Sequence, residues 1–156
     1  MKKLFILTCF WGLAAAAQSI SPKDVLGNWK VVTITTPELS VDMKTMQVTL
    51  TPETIAWAKK KNKSTDALKT DALKNAGEYV NTTYSFTAKG IYTEKKGSNK
   101  PVKAEYELTN SDGQNVIILY YPDQDTEDMY YVNFIAQQLY LEYDEAEVTL
   151  VCEKTE

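Results

Sequence analysis

The side chains that could do chemistry in this 156-residue chain are carboxylates, lysines, tyrosines and hydroxyls, because it contains no histidine. Without an imidazole there is no Ser-His or Cys-His nucleophilic pair and no histidine metal ligand. Two cysteines, Cys9 and Cys152, are too few for a thiolate zinc cage. The densest acidic group is Asp123, Asp125, Glu127 and Asp128, just after Pro122. Oxygens at alternate positions suit Ca²⁺, but this run lacks the glycine and the distal bidentate glutamate of an EF-hand loop. It reads as a solvated hairpin, and neither a metal nor a cofactor is expected. No acid and base are paired by spacing, so the expectation is a protein that is not an enzyme. An enzyme reading requires two carboxylates, or a lysine and a carboxylate, to converge in a cleft through the fold. The ten tyrosines point another way. A ring with a polar tip suits the wall of a cavity that orients an amphipathic molecule, although small barrels also fill themselves with such rings.

The start of the chain reads as an export signal. Lys2 and Lys3 form a positive start, Leu4 to Leu13 an apolar stretch, and Ala15-x-Ala17 a small-residue cleavage site. Residues 1–17 therefore read as a signal peptide and 18–156 as a single domain. The apolar stretch is too short for a transmembrane segment. Cys9 lies inside it, which is the wrong place for a lipoprotein anchor, so the product is expected to be periplasmic or secreted. Removal of Lys2 and Lys3 takes the formal net charge from −4 to −6, and every basic residue is lysine. That balance argues against nucleic acid as a partner. The exported chain keeps only Cys152, so packing rather than a disulfide must stabilise it. Cys152 alternates with Val148 and Leu150 and reads as a small buried apolar residue.

Short alternating segments dominate the rest. Ser21-Pro22-Lys23-Asp24 has the pattern of a capped turn, and Gly27 ends it. Nine strands follow by alternation and β-branching: 28–36, 45–50, 79–87, 91–95, 102–109, 115–121, 129–134, 138–143 and 147–153. Connections such as Ser111-Asp112-Gly113 and Ile135-Ala136-Gln137 are tight, as in a meander. A meander of this length removes its edges by closing into a barrel. Residues 51–78 interrupt the pattern between the second and third of these strands. Thr51-Pro52-Glu53 starts one helix, which carries Trp57, and Ser64 starts another, which puts Leu68 and Ala72 on one face.

Gly27-Asn28-Trp29-Lys30 after the capped turn, the turn Lys89-Gly90-Ile91-Tyr92, and the closing pattern Gln138-Leu139-Tyr140-Leu141-Glu142-Tyr143 with a last strand ending at Lys154 carry a family likeness. The chain resembles the small secreted lipocalin-like proteins of Bacteroidota-type bacteria, and is distantly similar to lipocalins. The resemblance implies a mostly β, lipocalin-like barrel of 8–10 strands that binds small apolar or amphipathic molecules inside. It also implies that Trp29 packs across the closed end. Lipocalins set an arginine of the last strand over that tryptophan; this chain has none, and Lys154 is the substitute in position. The helical pair is similar to the lid of intracellular fatty-acid-binding proteins, which place it after the first strand and are not exported.

If Trp29 faces inward, alternation carries Val31, Thr33 and Thr35 with it. The same rule adds Tyr84, Phe86, Tyr106, Leu108, Leu139, Leu141 and Tyr143, so the candidate ligand-lining set is Trp29, Val31 and these seven. Trp57 is the candidate at the barrel mouth, either as a plug or, more simply, as the residue that docks its helix. The expected function is an exported barrel that binds a small lipophilic ligand. The alternative is a protein-interaction module in the envelope, an inhibitor or assembly subunit, whose barrel is filled by its own side chains.

Overall fold

A computed structural model of the protein describes residues 20–122, 126–143 and 147–155. The expected signal peptide, Cys9, Asp123 and Asp125 lie outside them. Among the described residues, no helix is long and apolar enough to cross a membrane.

The chain opens with a four-residue helix, α1 (Pro22–Val25), held by a capping box. The Ser21 hydroxyl accepts from the Lys23 amide, and the Asp24 carboxylate accepts from the Ser21 amide at 2.8 Å. Ten strands follow: β1 (Gly27–Thr35), β2 (Leu39–Asp42), β3 (Gln47–Leu50), β4 (Thr83–Phe86), β5 (Ile91–Lys95), β6 (Val102–Ser111), β7 (Gln114–Tyr121), β8 (Thr126–Ile135), β9 (Gln138–Tyr143) and β10 (Val148–Thr155). Two helices, α2 (Pro52–Lys60) and α3 (Thr65–Ala76), separate β3 from β4. All pairings are antiparallel, β4 to β10 pair in chain order, and β10 returns to β1. Strands β1 and β4–β10 thus form a closed eight-stranded barrel. The helical insertion follows the third strand, because Leu39–Asp42, between Pro37 and the turn at Met43–Met46, pairs as an additional strand.

Strand β1 is shared between two neighbours. Its first residues, Gly27 to Lys30, pair with β4, and its last, Thr33 to Thr35, leave β4 and pair with β2. A register shift against β10 between Val31 and Thr33 marks the division. This bulge reverses the alternation. Trp29 and Val31 are buried as expected, but beyond the bulge Ile34 is buried and Thr35 exposed, with Thr33 between them. The inward assignment of Thr33 and Thr35 is therefore corrected to Ile34. The gap where β1 departs from β4 is covered by β2, β3 and α3, whose Val41, Ala72 and Ala76 join the same core as the barrel interior. The expected strand at 79–87 is also shorter: Gly77–Tyr79 is a 3₁₀ turn and Val80 is exposed, so pairing begins at Thr83.

The turns are as tight as the spacing implies. Asp112 and Gly113 both have positive φ between β6 and β7, and so do Ala136 and Gln137 between β8 and β9. Two central residues of that kind give the hairpin turn whose twist matches the strands. These turns, the β4–β5 turn and both ends of the described chain lie at one end of the barrel, the closed end. The last residues of β5, β7 and β9 lie at the other, the mouth.

Candidate functional site

The closed end is built around Trp29, which is fully buried. Its indole Nε1 donates to the Val25 carbonyl at 2.7 Å, which ties the barrel to α1. Phe134 meets the ring edge-on at 6.1 Å, and the Lys154 ammonium stands over it at 5.5 Å from the centroid. Lys154 thus occupies the place that the sequence left for it. Gly27, beside the end of this flexible side chain, is called for by its backbone, whose φ of +125° L side chains rarely adopt. Phe86 and Tyr106 pack edge-to-face here, and the Tyr106 hydroxyl donates outward to the Thr87 carbonyl at 2.9 Å. Further up, Val31, Tyr92, Ile117, Leu119, Val132, Leu139, Leu141 and Cys152 fill the barrel with one another. Leu108 is half-buried against that core. Burial pushes the Cys152 thiol up to about 12, so this sulfur is an inert packing group.

Among the described residues, the barrel leaves room at the mouth, in a cavity of about 250 Å³. Tyr79, Tyr84, Tyr121, Tyr130 and Tyr143 line it together with Glu94, Lys96 and Asp128. Of the nine candidate lining residues, Tyr84 and Tyr143 reach this space; the other seven are spent on packing or on the closed end. A lysine and two carboxylates do converge here: Lys96 sits 3.2 Å from Glu94 and 5.8 Å from the Tyr79 ring. Burial, reinforced by the Glu94 charge, holds the Tyr84 phenol well above its ordinary range. Burial does the same to Tyr130 and, with the Asp128 charge, to Tyr121. These phenols stay protonated, so they act as hydrogen-bond donors and not as bases. Asp128 and Tyr130 were hidden in the sequence by the acidic character of their segment, although alternation along β8 puts them on one face with Val132 and Phe134. Glu127 is exposed on the opposite face from Asp128. Among the described residues, no group of three His, Cys, Asp or Glu could hold a metal ion.

Trp57 does not reach the mouth cavity. It is 48% exposed and lies over a groove of about 640 Å³ outside the barrel. Leu39 and Leu50 of the β2–β3 hairpin form one wall, and Leu68 and Ala72 of α3 the other. The insertion docks through Ala58, Ala72 and Ala76, all buried, rather than through the tryptophan. Small residues bring the helices close and leave the large ring free. The Glu38 segment is pinned to the start of α2: the Glu38 carbonyl accepts from the Thr51 amide at 2.9 Å and from the Thr54 hydroxyl at 3.0 Å. Thr36 closes the other side by accepting from the Glu38 and Leu39 amides. The groove is therefore a built feature with fixed walls. In the sequence, Trp57 and the shared face of Leu68 and Ala72 were its visible traces.

No protein-family model matches the chain, and no curated protein matches it. A solved structure of a DUF4847 family protein from Bacteroides vulgatus is similar, at 11% identity and a TM-score of 0.49, over 85% of this chain and 96% of that one.

Proposed function

We propose that the protein is an exported, non-enzymatic binding protein of lipocalin-like build whose barrel serves as a filled scaffold. On this reading, a small hydrophobic or amphipathic molecule is held in the groove between α2, α3 and the β2–β3 hairpin. The observation that carries it is the combination of sufficient volume with apolar walls. Small-molecule sites span roughly 300–1,000 Å³ with mostly apolar walls. The groove, at about 640 Å³ with Leu39, Leu50, Trp57 and Leu68 in its walls, lies within that range. The mouth cavity, at about 250 Å³ and lined by phenols and charges, lies below it. The depth of the barrel is occupied by Trp29, Tyr92, Ile117, Leu119 and Leu139.

A neutral fluorescent probe, N-phenyl-1-naphthylamine, tests the assignment. Its enhancement should fall several-fold in Trp57→Ala or Leu68→Glu and stay unchanged in Tyr130→Phe. The reverse pattern would return the site to the barrel mouth, which the convergence of Glu94, Lys96, Asp128 and five tyrosines makes the second reading. No probe binding by the wild type would leave the interaction-module reading, to which the 48% exposure of Ile55, on a different side of α2 from Trp57, also speaks.

A further inference from the structure

The groove has a charge as well as a shape. Among its described lining residues the charged ones are Glu38, Glu53 and Asp71, and none is a lysine. This is unusual in a chain with 17 lysines, several of them on the same two helices. The three carboxylates approach from three segments: Glu38 before β2, Glu53 in the first turn of α2, and Asp71 in the middle of α3. Among the described residues, the two ion pairs are Lys44–Glu153 and Lys96–Glu94, so none of the three rim carboxylates is neutralised by a neighbouring lysine. The Glu38 carboxylate accepts from the Thr36 hydroxyl at 3.0 Å and is held at the rim. Below the rim the walls are leucine, alanine and the Trp57 ring.

We propose that the groove takes a single-chain amphiphile with a cationic headgroup, its tail along Leu39, Leu50 and Leu68 and its headgroup among Glu38, Glu53 and Asp71. This rests on the groove being the binding site and adds the class of its ligand. Three arguments favour it. The volume of about 640 Å³ suits one such molecule and is too small to seat the side of a long helix from a protein partner. Rim carboxylates favour a positive headgroup and oppose a negative one, and the overall acidic charge adds to that field. An indole face beside the carboxylates offers a cation a second attraction.

Three ligands with one tail and different headgroups form the test: decylammonium, 1-decanol and decanoate, titrated calorimetrically, the two ions below their micelle concentrations and the alcohol below its solubility limit. Decylammonium should bind about tenfold more tightly than 1-decanol, because each exposed carboxylate adds only a small, screened attraction. Decanoate should bind more weakly than either. The preference for the cation should shrink as salt is added. In Glu38→Gln/Glu53→Gln/Asp71→Asn the cation and the alcohol should bind alike, and 1-decanol should bind as it does to the wild type. Equal binding of decylammonium and 1-decanol to the wild type, with both lost in Trp57→Ala, would overturn the cationic ligand and leave the groove as the site. Binding of none of the three, or binding untouched by Trp57→Ala, would overturn the groove itself.

Discussion

Removal of Trp29 tests whether this residue closes the barrel. The side chain is fully buried, so Trp29→Ala loses its apolar burial and opens a cavity, at a cost of about 3–5 kcal/mol. The same change strips the Val25 carbonyl of its donor and removes the partners of Phe134 and Lys154. Trp29→Phe separates these effects. It keeps most of the ring volume and loses the Nε1–H bond to Val25, for about 1–3 kcal/mol. Lys154→Met leaves the ring in place and removes the ammonium, and its coupling to Trp29→Leu, which removes the aromatic face, should be about 0.5–1 kcal/mol. Urea unfolding followed by far-ultraviolet circular dichroism gives all four corners of the cycle, provided that the m-values agree. Trp29→Ala within about 0.5 kcal/mol of wild type would mean that the ring is at the surface, and the closed end would need a different account. A coupling of zero would remove Lys154 from the role of the missing arginine.

Other consequences are equally specific. Ala136 and Gln137 hold positive φ in a two-residue turn without glycine or asparagine, so Ala136→Asn/Gln137→Gly should stabilise the protein by about 1 kcal/mol in the same assay; destabilisation would mean that another contact fixes these residues. Alkaline stability should follow the buried phenols. The phenols of Tyr84, Tyr92, Tyr121 and Tyr130 are held above their ordinary range by burial, and burial pushes the Cys152 thiol up to about 12. A raised group stabilises the fold fully below its unfolded value and loses that contribution as pH climbs through its folded one. Stability should therefore be unaffected by these groups below about pH 9 and fall above it by roughly 1.4 kcal/mol per pH unit for each group that only the unfolded chain can ionise. Phenolate absorbance in native protein up to about pH 11 should miss these four rings, whereas titration of all ten at ordinary values would place them in solvent.

The barrel was legible because its signals are local. Alternation marks a half-buried strand, and Val102 to Thr109 or Gln138 to Tyr143 needs no distant partner to declare itself. The capped turn, Gly27 and the hairpin at Asp112-Gly113 are likewise written in adjacent residues. The losses came where geometry depends on a partner strand. The bulge after Val31 is set by register against β10, and nothing in Val31-Val32-Thr33 announces that the inward face passes to Ile34. Strand β2 is only four residues long and is a strand because β1 leaves β4 to pair with it. The groove lies still further from sequence. Its walls come from Pro37–Leu50, from α2 and from α3, and Trp57 was a visible oddity whose surroundings only packing could supply. Alternation also cannot tell a lined cavity from a filled interior. The same inward Leu139 and Leu141 serve either, and here they meet other side chains.

Methyl-resolved NMR of the protein titrated with 1-decanol tests most directly that the barrel is a scaffold and the groove the site. The account predicts shifts confined to Leu39, Leu50, Leu68 and Ala72. Shifts at Val148, Leu150 and Leu141 with the groove methyls unmoved would contradict it and put the ligand inside the barrel.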